Sequence, residues 1–216
     1  EPTAFEGIEV RRLPAWLDDF KARWGKAPAY NGHRGGRYDY RFDAVKFAHK
    51  VAALTEFAAE LVDGETLIWL DADTFTHAPV TIDWLKELFP GCGYIAWLDR
   101  VNAHPECGFV MFRTAHPYHQ QFMVSFRELY TSGKLFSLSE THDSFVLWHL
   151  VNLKAATGKI QAPSSLSGDK RWHHPFVNGP LGACLDHMKG PRKFEGRSRP
   201  QDMRNQRSEK YWGGKK

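Results

Sequence analysis

The stretch LIWLDADTFTHAPV, Leu67 to Val80, constrains this chain more than any other. Leu67, Ile68, Trp69 and Leu70 form an apolar run of strand length, too short for a helix, and read as a strand buried on both faces. Two carboxylates follow directly. Asp71 and Asp73 lie two positions apart, so their side chains share a face wherever the chain stays extended. Carboxylate oxygens are hard ligands that suit magnesium, manganese or calcium at roughly 2.0 to 2.6 Å, with water or phosphate completing the shell. The plainer reading is that both aspartates end the strand and open a turn, where Asp is common. Paired carboxylates at the end of an apolar strand favour the cation.

With 216 residues, 42% apolar and 14% aromatic, the chain can bury a sizeable core. No apolar run approaches the ~20 residues of a membrane helix, so no membrane span is expected. Cys92, Cys107 and Cys184 are widely spaced with no CxxC pair. They read as free thiols of a reducing compartment, which points to the cytoplasm and away from zinc. Charge is uneven: from Lys189 onward there are ten Lys/Arg against three Asp/Glu, within a net charge of +4. Residues 195–216 therefore read as a basic tail on a domain of residues 1–194. Such an arm serves an anionic partner, or simply stays solvated.

In chain order, 7–10 reads as a short strand, and Pro14 opens a helix with Trp16, Leu17, Phe20 and Trp24 on one side. The Gly-, Arg- and Tyr-rich segment 25–40 has no period and reads as a mobile loop, a candidate ligand lid. A helix begins at Asp43 and runs to Gly64 on an apolar face through Val45, Ala48, Val51, Ala52 and Leu61. In its first turns Lys46, His49 and Lys50 are spaced to share a face suited to a diphosphate, or to solvent. A helix over 82–89, strands over 94–98 and 108–112, and a helix over 117–130 stopped by Ser132-Gly133 follow. Ser139 then opens a helix that turns Phe145, Val146, Trp148 and Leu150 inward and carries Glu140 and Asp143 one turn apart. Acidic residues also favour a first helical turn through its dipole alone. Residues 158–180 read as loop, with His173 and His174 as surface histidines.

The segment DHMKGPRKF, Asp186 to Phe194, brings a neutral imidazole at His187, close backbone approach at Gly190 and a point charge at Lys193. Two carboxylates, one imidazole and one lysine are the parts needed to hold a metal-bound diphosphate.

Asp71-Ala72-Asp73 behind a strand resembles the DxD motif of GT-A glycosyltransferases. His187-x-x-Gly190-x-x-Lys193 is similar to the HxxGxxK motif of glycosyltransferase family 8, whose relatives include small bacterial and phage-type enzymes. The resemblance spans about Tyr40 to Phe194. It implies an α/β fold of the GT-A (Rossmann-like) type, a three-layer α/β/α sandwich with a mixed, mostly parallel sheet. The family's first βα unit, which holds the nucleotide base, is expected to be missing or replaced. Asp71, Asp73 and His187 would hold Mn2+ (or Mg2+), while Lys46, Gly190 and Lys193 would meet the donor diphosphate. Glu106 to Phe112 is similar to the family's strand near the sugar, and Glu140 to Asp143 to its acidic segment beside the acceptor. Phe194-Glu195 stands where the family has Pro-Trp.

The implied activity is transfer of a sugar from a nucleotide-sugar donor, UDP-linked first of all, to an unidentified acceptor. Retention is the expected outcome. If the reaction inverts, Asp143 or Glu140 would act as catalytic base. Two other readings fit parts of the chain. A haloacid-dehalogenase-type phosphatase would use Asp71 as nucleophile, although Phe75 stands where that pattern wants Thr or Val. A non-catalytic module would bind sugar or nucleic acid through aromatics and the tail, but no nucleic-acid motif supports it. The transferase reading requires Asp73 and His187, 114 positions apart, to meet.

Overall fold

The computed structural model describes residues 8–61, 64–168, 170 and 174–213. In chain order the elements are α1 (Ala15–Trp24), β1 (Asn31–Arg34), β2 (Arg37–Asp43), α2 (Ala44–Ala58), β3 (Thr66–Leu70), β4 (Thr74–Thr76) and α3 (Ile82–Leu88). Then come β5 (Ile95–Leu98), β6 (Glu106–Arg113), α4 (His119–Thr131), α5 (Asp143–Ala156), β7 (Ser164–Ser165), β8 (Leu185–His187), α6 (Arg192–Glu195) and α7 (Lys210–Gly213). The fold class is α/β with a mixed sheet. Among the described residues no helix is long and apolar enough to cross a membrane. Two compact units form, Glu1–Val62 with Gln120–Leu147 and Asp63–His119 with Trp148–Lys216. The boundary expected at residue 194 falls inside the second.

In the first unit, Pro14 caps α1, whose Leu17 and Phe20 are buried. Of the strand expected over 7–10, Gly7 lies outside the described residues and only Ile8 makes an isolated bridge. The Asp43 carboxylate accepts the Lys46 backbone N–H at 3.0 Å and so starts α2. Ala44, Ala48, Val51 and Ala52 line the buried face of α2. The helix ends at Ala58, short of Leu61 and Gly64. Phe122, Met123, Phe126 and Tyr130 of α4 are buried, and Phe20 packs on Tyr130 and Phe136 with ring centroids 5.8 and 6.1 Å apart. Gly133, at φ 74, turns the chain out of α4.

The segment expected as a mobile loop over 25–40 instead contains the hairpin of β1 and β2. Gly35 and Gly36, at φ 59 and 78, form its two-residue turn between Arg34 and Arg37, and two positive φ angles suit the right-handed strand twist. Neither strand buries a full face, so the hydrophobic alternation that announces a strand is missing.

The second unit is built on a four-stranded sheet in the order β3-β6-β5-β7. β3 and β5 both pair antiparallel with β6, and only β5 and β7 run parallel. This corrects the mostly parallel expectation, and the cause is connection length: residues 99–105 join β5 to β6, too few for the crossover that a parallel neighbour needs. β3 is an edge strand among the described residues, and its Leu70 is 42% exposed, so it is not buried on both faces. Phe89, Leu98, Phe109, Met111, Leu166, Phe176 and Leu181 form the core beside it.

α5 starts at Asp143, four residues later than expected, which leaves Glu140 in the preceding loop. Phe145, Val146 and Leu150 are buried, whereas Trp148 is 37% exposed. The segment expected as plain loop holds β7 and a buried Phe176-Val177 pair. The described part of the basic tail, 195–213, is folded into the second unit. Trp212 is buried and its indole donates to the Gly182 carbonyl at 2.8 Å.

Candidate metal centre

β3 ends at Leu70, and the Asp71 backbone N–H still donates to the Gly108 carbonyl of β6 at 2.9 Å. A tight turn follows, closed by Thr74 N–H on the Asp71 carbonyl at 3.0 Å. The chain then enters β4, where Thr74 pairs with His187 of β8. The Met188 N–H donates to the Asp73 carbonyl at 2.9 Å and extends that pairing into the turn. The two motifs are therefore joined by backbone hydrogen bonds before any side chain is considered.

Their side chains converge. His187 Nε2 lies 3.0 Å from Asp73 Oδ1 and 3.7 Å from Asp71 Oδ2. One donor atom from each of Asp71, Asp73 and His187 can be chosen so that all lie within 4.8 Å of one another. Lys193, held in α6, places Nζ 2.9 Å from Asp73 Oδ2. Burial pushes the Asp73 carboxyl up, but the Lys193 ammonium and His187 outweigh it and hold that carboxyl below the usual range. Gly190, at φ 62, makes the turn between β8 and α6.

The imidazole itself is 1% exposed, and its buried Nδ1 finds no hydrogen-bond partner among the described residues. Glu106 Oε1 approaches that nitrogen to 3.9 Å. Glu106 is in turn buried against Lys189 Nζ at 3.0 Å and Arg100 Nη1 at 3.7 Å. Burial raises its carboxyl, and Lys189, His187 and Arg100 beside it outweigh that and bring it below the usual range. Gly108 makes room for the ring, because a Cβ there would sit 2.6 Å from His187 Cε1. The Glu106, Lys189 and Arg100 network escapes sequence reasoning. Its only signal is a charged residue heading an otherwise apolar strand, ECGFVMF.

The donor set, two carboxylates and one imidazole, suits a hard or borderline divalent cation such as Mn2+ or Mg2+, with positions left for phosphate oxygens. The residues therefore fit the ion implied by the motif.

The other expected site residues belong to the first unit. Lys46 is exposed, its Nζ 5.6 Å from the Phe47 ring centroid. Lys50, one helical turn on, pairs with Asp143 Oδ2 at 2.8 Å, both side chains 13% exposed. Glu140 lies 2.8 Å from His142 Nε2, and the Tyr40 ring packs on that histidine. Glu140 and Asp143 thus do not form one acidic helix face, because the helix starts only at Asp143.

His173 lies outside the described residues. His174, expected at the surface, is 5% exposed and shares a hydrogen bond of 3.1 Å with Ser198 Oγ. Burial, helped by the Arg192 charge, lowers its pKa to about 4. Asp186, fully buried beside His187, accepts from Ser198 N–H at 2.7 Å, Ser198 Oγ at 2.6 Å and Tyr211 OH at 2.9 Å. The tail thus closes over the strand that carries the histidine. The three cysteines are free.

No family model matches this chain, and no curated protein or solved structure matches it significantly.

Proposed function

We propose that the second unit binds a divalent cation through Asp71, Asp73 and His187 and uses it, with Lys193, to transfer a sugar from a nucleoside-diphosphate donor. The observation that carries this reading is the meeting of the two motifs: His187 Nε2 and Lys193 Nζ sit 3.0 and 2.9 Å from the two oxygens of Asp73. The GT-A arrangement is part of the proposal, supported by a mixed sheet with the paired carboxylates just beyond the carboxyl end of β3.

A sugar nucleotide reacts by loss of the nucleoside diphosphate, so the barrier falls when negative charge growing on the leaving oxygen is neutralised. The cation, Mn2+ or Mg2+, would supply Lewis-acid stabilisation of that charge. Lys193 adds a point charge that can shift from Asp73 to a phosphate oxygen. Asp71 and Asp73 serve the ion rather than the sugar, which leaves no general base among them. That agrees with the retaining outcome implied by the motifs. The ion pairs around Asp73 favour transfer over the phosphatase alternative, which needs Asp71 as a nucleophile.

The test is calorimetric and thermal titration with UDP and UDP-sugars, with and without Mn2+. A ligand at 100 times its dissociation constant raises stability by about 2.7 kcal/mol. The expected result is UDP-dependent stabilisation only when Mn2+ is present, lost in Asp73→Asn. Stabilisation by UDP that ignores both Mn2+ and the substitution would overturn the proposal.

A further inference from the structure

Two strands of the second unit end in the same way. Ile68-Trp69-Leu70-Asp71 closes β3, and Ala96-Trp97-Leu98-Asp99 closes β5. β6 lies between them, and both tryptophans are register partners of its Val110. In each case the indole N–H donates to Oδ1 of the aspartate two residues on, at 2.5 Å from Trp69 to Asp71 and 2.6 Å from Trp97 to Asp99. Side chains two apart on an extended chain stand on one face, which is why the pattern Trp-x-Asp closes this contact. The second oxygens face different described groups. Asp99 Oδ2 takes Lys170 Nζ at 2.9 Å, whereas Asp71 Oδ2 faces His187 Nε2 at 3.7 Å.

We propose that Trp69 is a positioning residue for the cation site: its indole occupies Oδ1 of Asp71, so that only Oδ2 is presented to the ion. The inference rests on the metal reading above and deepens it. A strand-end carboxylate free to rotate can offer either oxygen or both. Fixing Oδ1 restricts Asp71 to one ligand atom, on the side where Asp73 and His187 already stand. It also keeps the remaining coordination positions for phosphate oxygens. Groups that orient a ligand from outside the coordination sphere commonly change metal affinity by about 10- to 100-fold. Trp97 performs the same act for an aspartate that holds a lysine, and so provides a control within the same sheet.

The experiment compares Mn2+ binding, by calorimetry without nucleotide, in the wild type, Trp69→Phe and Trp97→Phe, with melting recorded in chelator. Trp69→Phe is expected to weaken Mn2+ binding by about tenfold and Trp97→Phe by less than about twofold, with similar metal-free melting. Equal Mn2+ affinity in wild type and Trp69→Phe overturns the inference while leaving the metal site standing. A wild type that binds no Mn2+ overturns the metal reading itself, and the role of Trp69 with it. If Trp69→Phe fails to fold, the wild type decides by nitrogen-15 NMR of the indoles. Saturating Mg2+ should move the Trp69 resonance and leave that of Trp97 in place, and an unmoved Trp69 resonance overturns the inference.

Discussion

Lys193 Nζ stands 2.9 Å from Asp73 Oδ2, on the opposite oxygen from the one that His187 meets. A cation arriving at Asp73 must compete with that ammonium, and a diphosphate arriving with the cation gives the ammonium a new partner. Lys193→Met should therefore act with opposite signs on the two ligands. Mn2+ alone should bind more tightly, by up to about 1 kcal/mol, the range of a partly exposed ion pair. UDP in the presence of Mn2+ should bind more weakly, by about 1.5 to 3 kcal/mol, the range of a charged hydrogen bond. Calorimetry of each ligand separately checks both signs, and a loss of affinity for Mn2+ alone would contradict this account of Lys193.

Gly108→Ala tests the packing that seats the imidazole. The added methyl group would lie 2.6 Å from His187 Cε1 and 2.8 Å from Nδ1, so ring or strand must move. Overpacking of this kind costs about 1 to 3 kcal/mol. Denaturant unfolding should show that loss, and Mn2+ titration should show weakened binding. Gly213→Ala, where an added Cβ meets nothing within 4 Å, should change neither.

Acid should destabilise the second unit through His174. Its folded pKa is depressed to about 4, so the neutral ring contributes stability that is fully present above the unfolded value near 6.5. That stability is lost as pH falls from about 6.5 to about 4, because the unfolded chain binds the proton first. At about 1.4 kcal/mol per pKa unit the loss reaches up to about 3 kcal/mol. Arg192 and His187 oppose protonation, while Glu106 and Asp202 favour it. Unfolding free energies of His174→Gln measured across this window should depend less steeply on pH than those of the wild type.

Truncation after Gly196 should be costly. It removes Ser198 and Tyr211, which supply three donors to the buried Asp186 carboxylate, and with them the Trp212 anchor. Breaking the partners of a buried charge costs about 3 to 5 kcal/mol. Urea unfolding of the truncated chain should show a loss of at least that order. A truncated chain as stable as the full one would make residues 197–216 the solvated tail that their charge suggests.

Local signals located most helices. Pro14, Asp43 and Ser132-Gly133 fall at or beside helix ends because capping depends on a few neighbouring residues. The periodic helices over 82–89 and 117–130 and the strands before Asp71 and around Val110 were legible for the same reason. The candidate site was legible only as a pair of motifs: strand-end aspartates alone also suit a turn, and Asp71 and Asp73 point to a cation once His187 and Lys193 are read with them.

What only the tertiary structure decided lies in pairing across distance. The antiparallel pairings within the mixed sheet depend on which strands meet β6, and the hairpin at Gly35-Gly36 lacks a buried face to announce it. Lys50 meets Asp143 across 93 positions, a pairing that the pattern of neither helix announces. Glu106 and Trp69 came to light only through the groups they face, a histidine 81 positions away and an aspartate whose other oxygen points towards it. The tail's charge read as an arm for an anionic partner or as solvation, and neither reading contains the buried Asp186 carboxylate that accepts from Ser198 and Tyr211. Composition and periodicity report the preferences of a residue and its neighbours, whereas a buried charge is stable only beside a particular partner, and the folded chain alone chooses that partner.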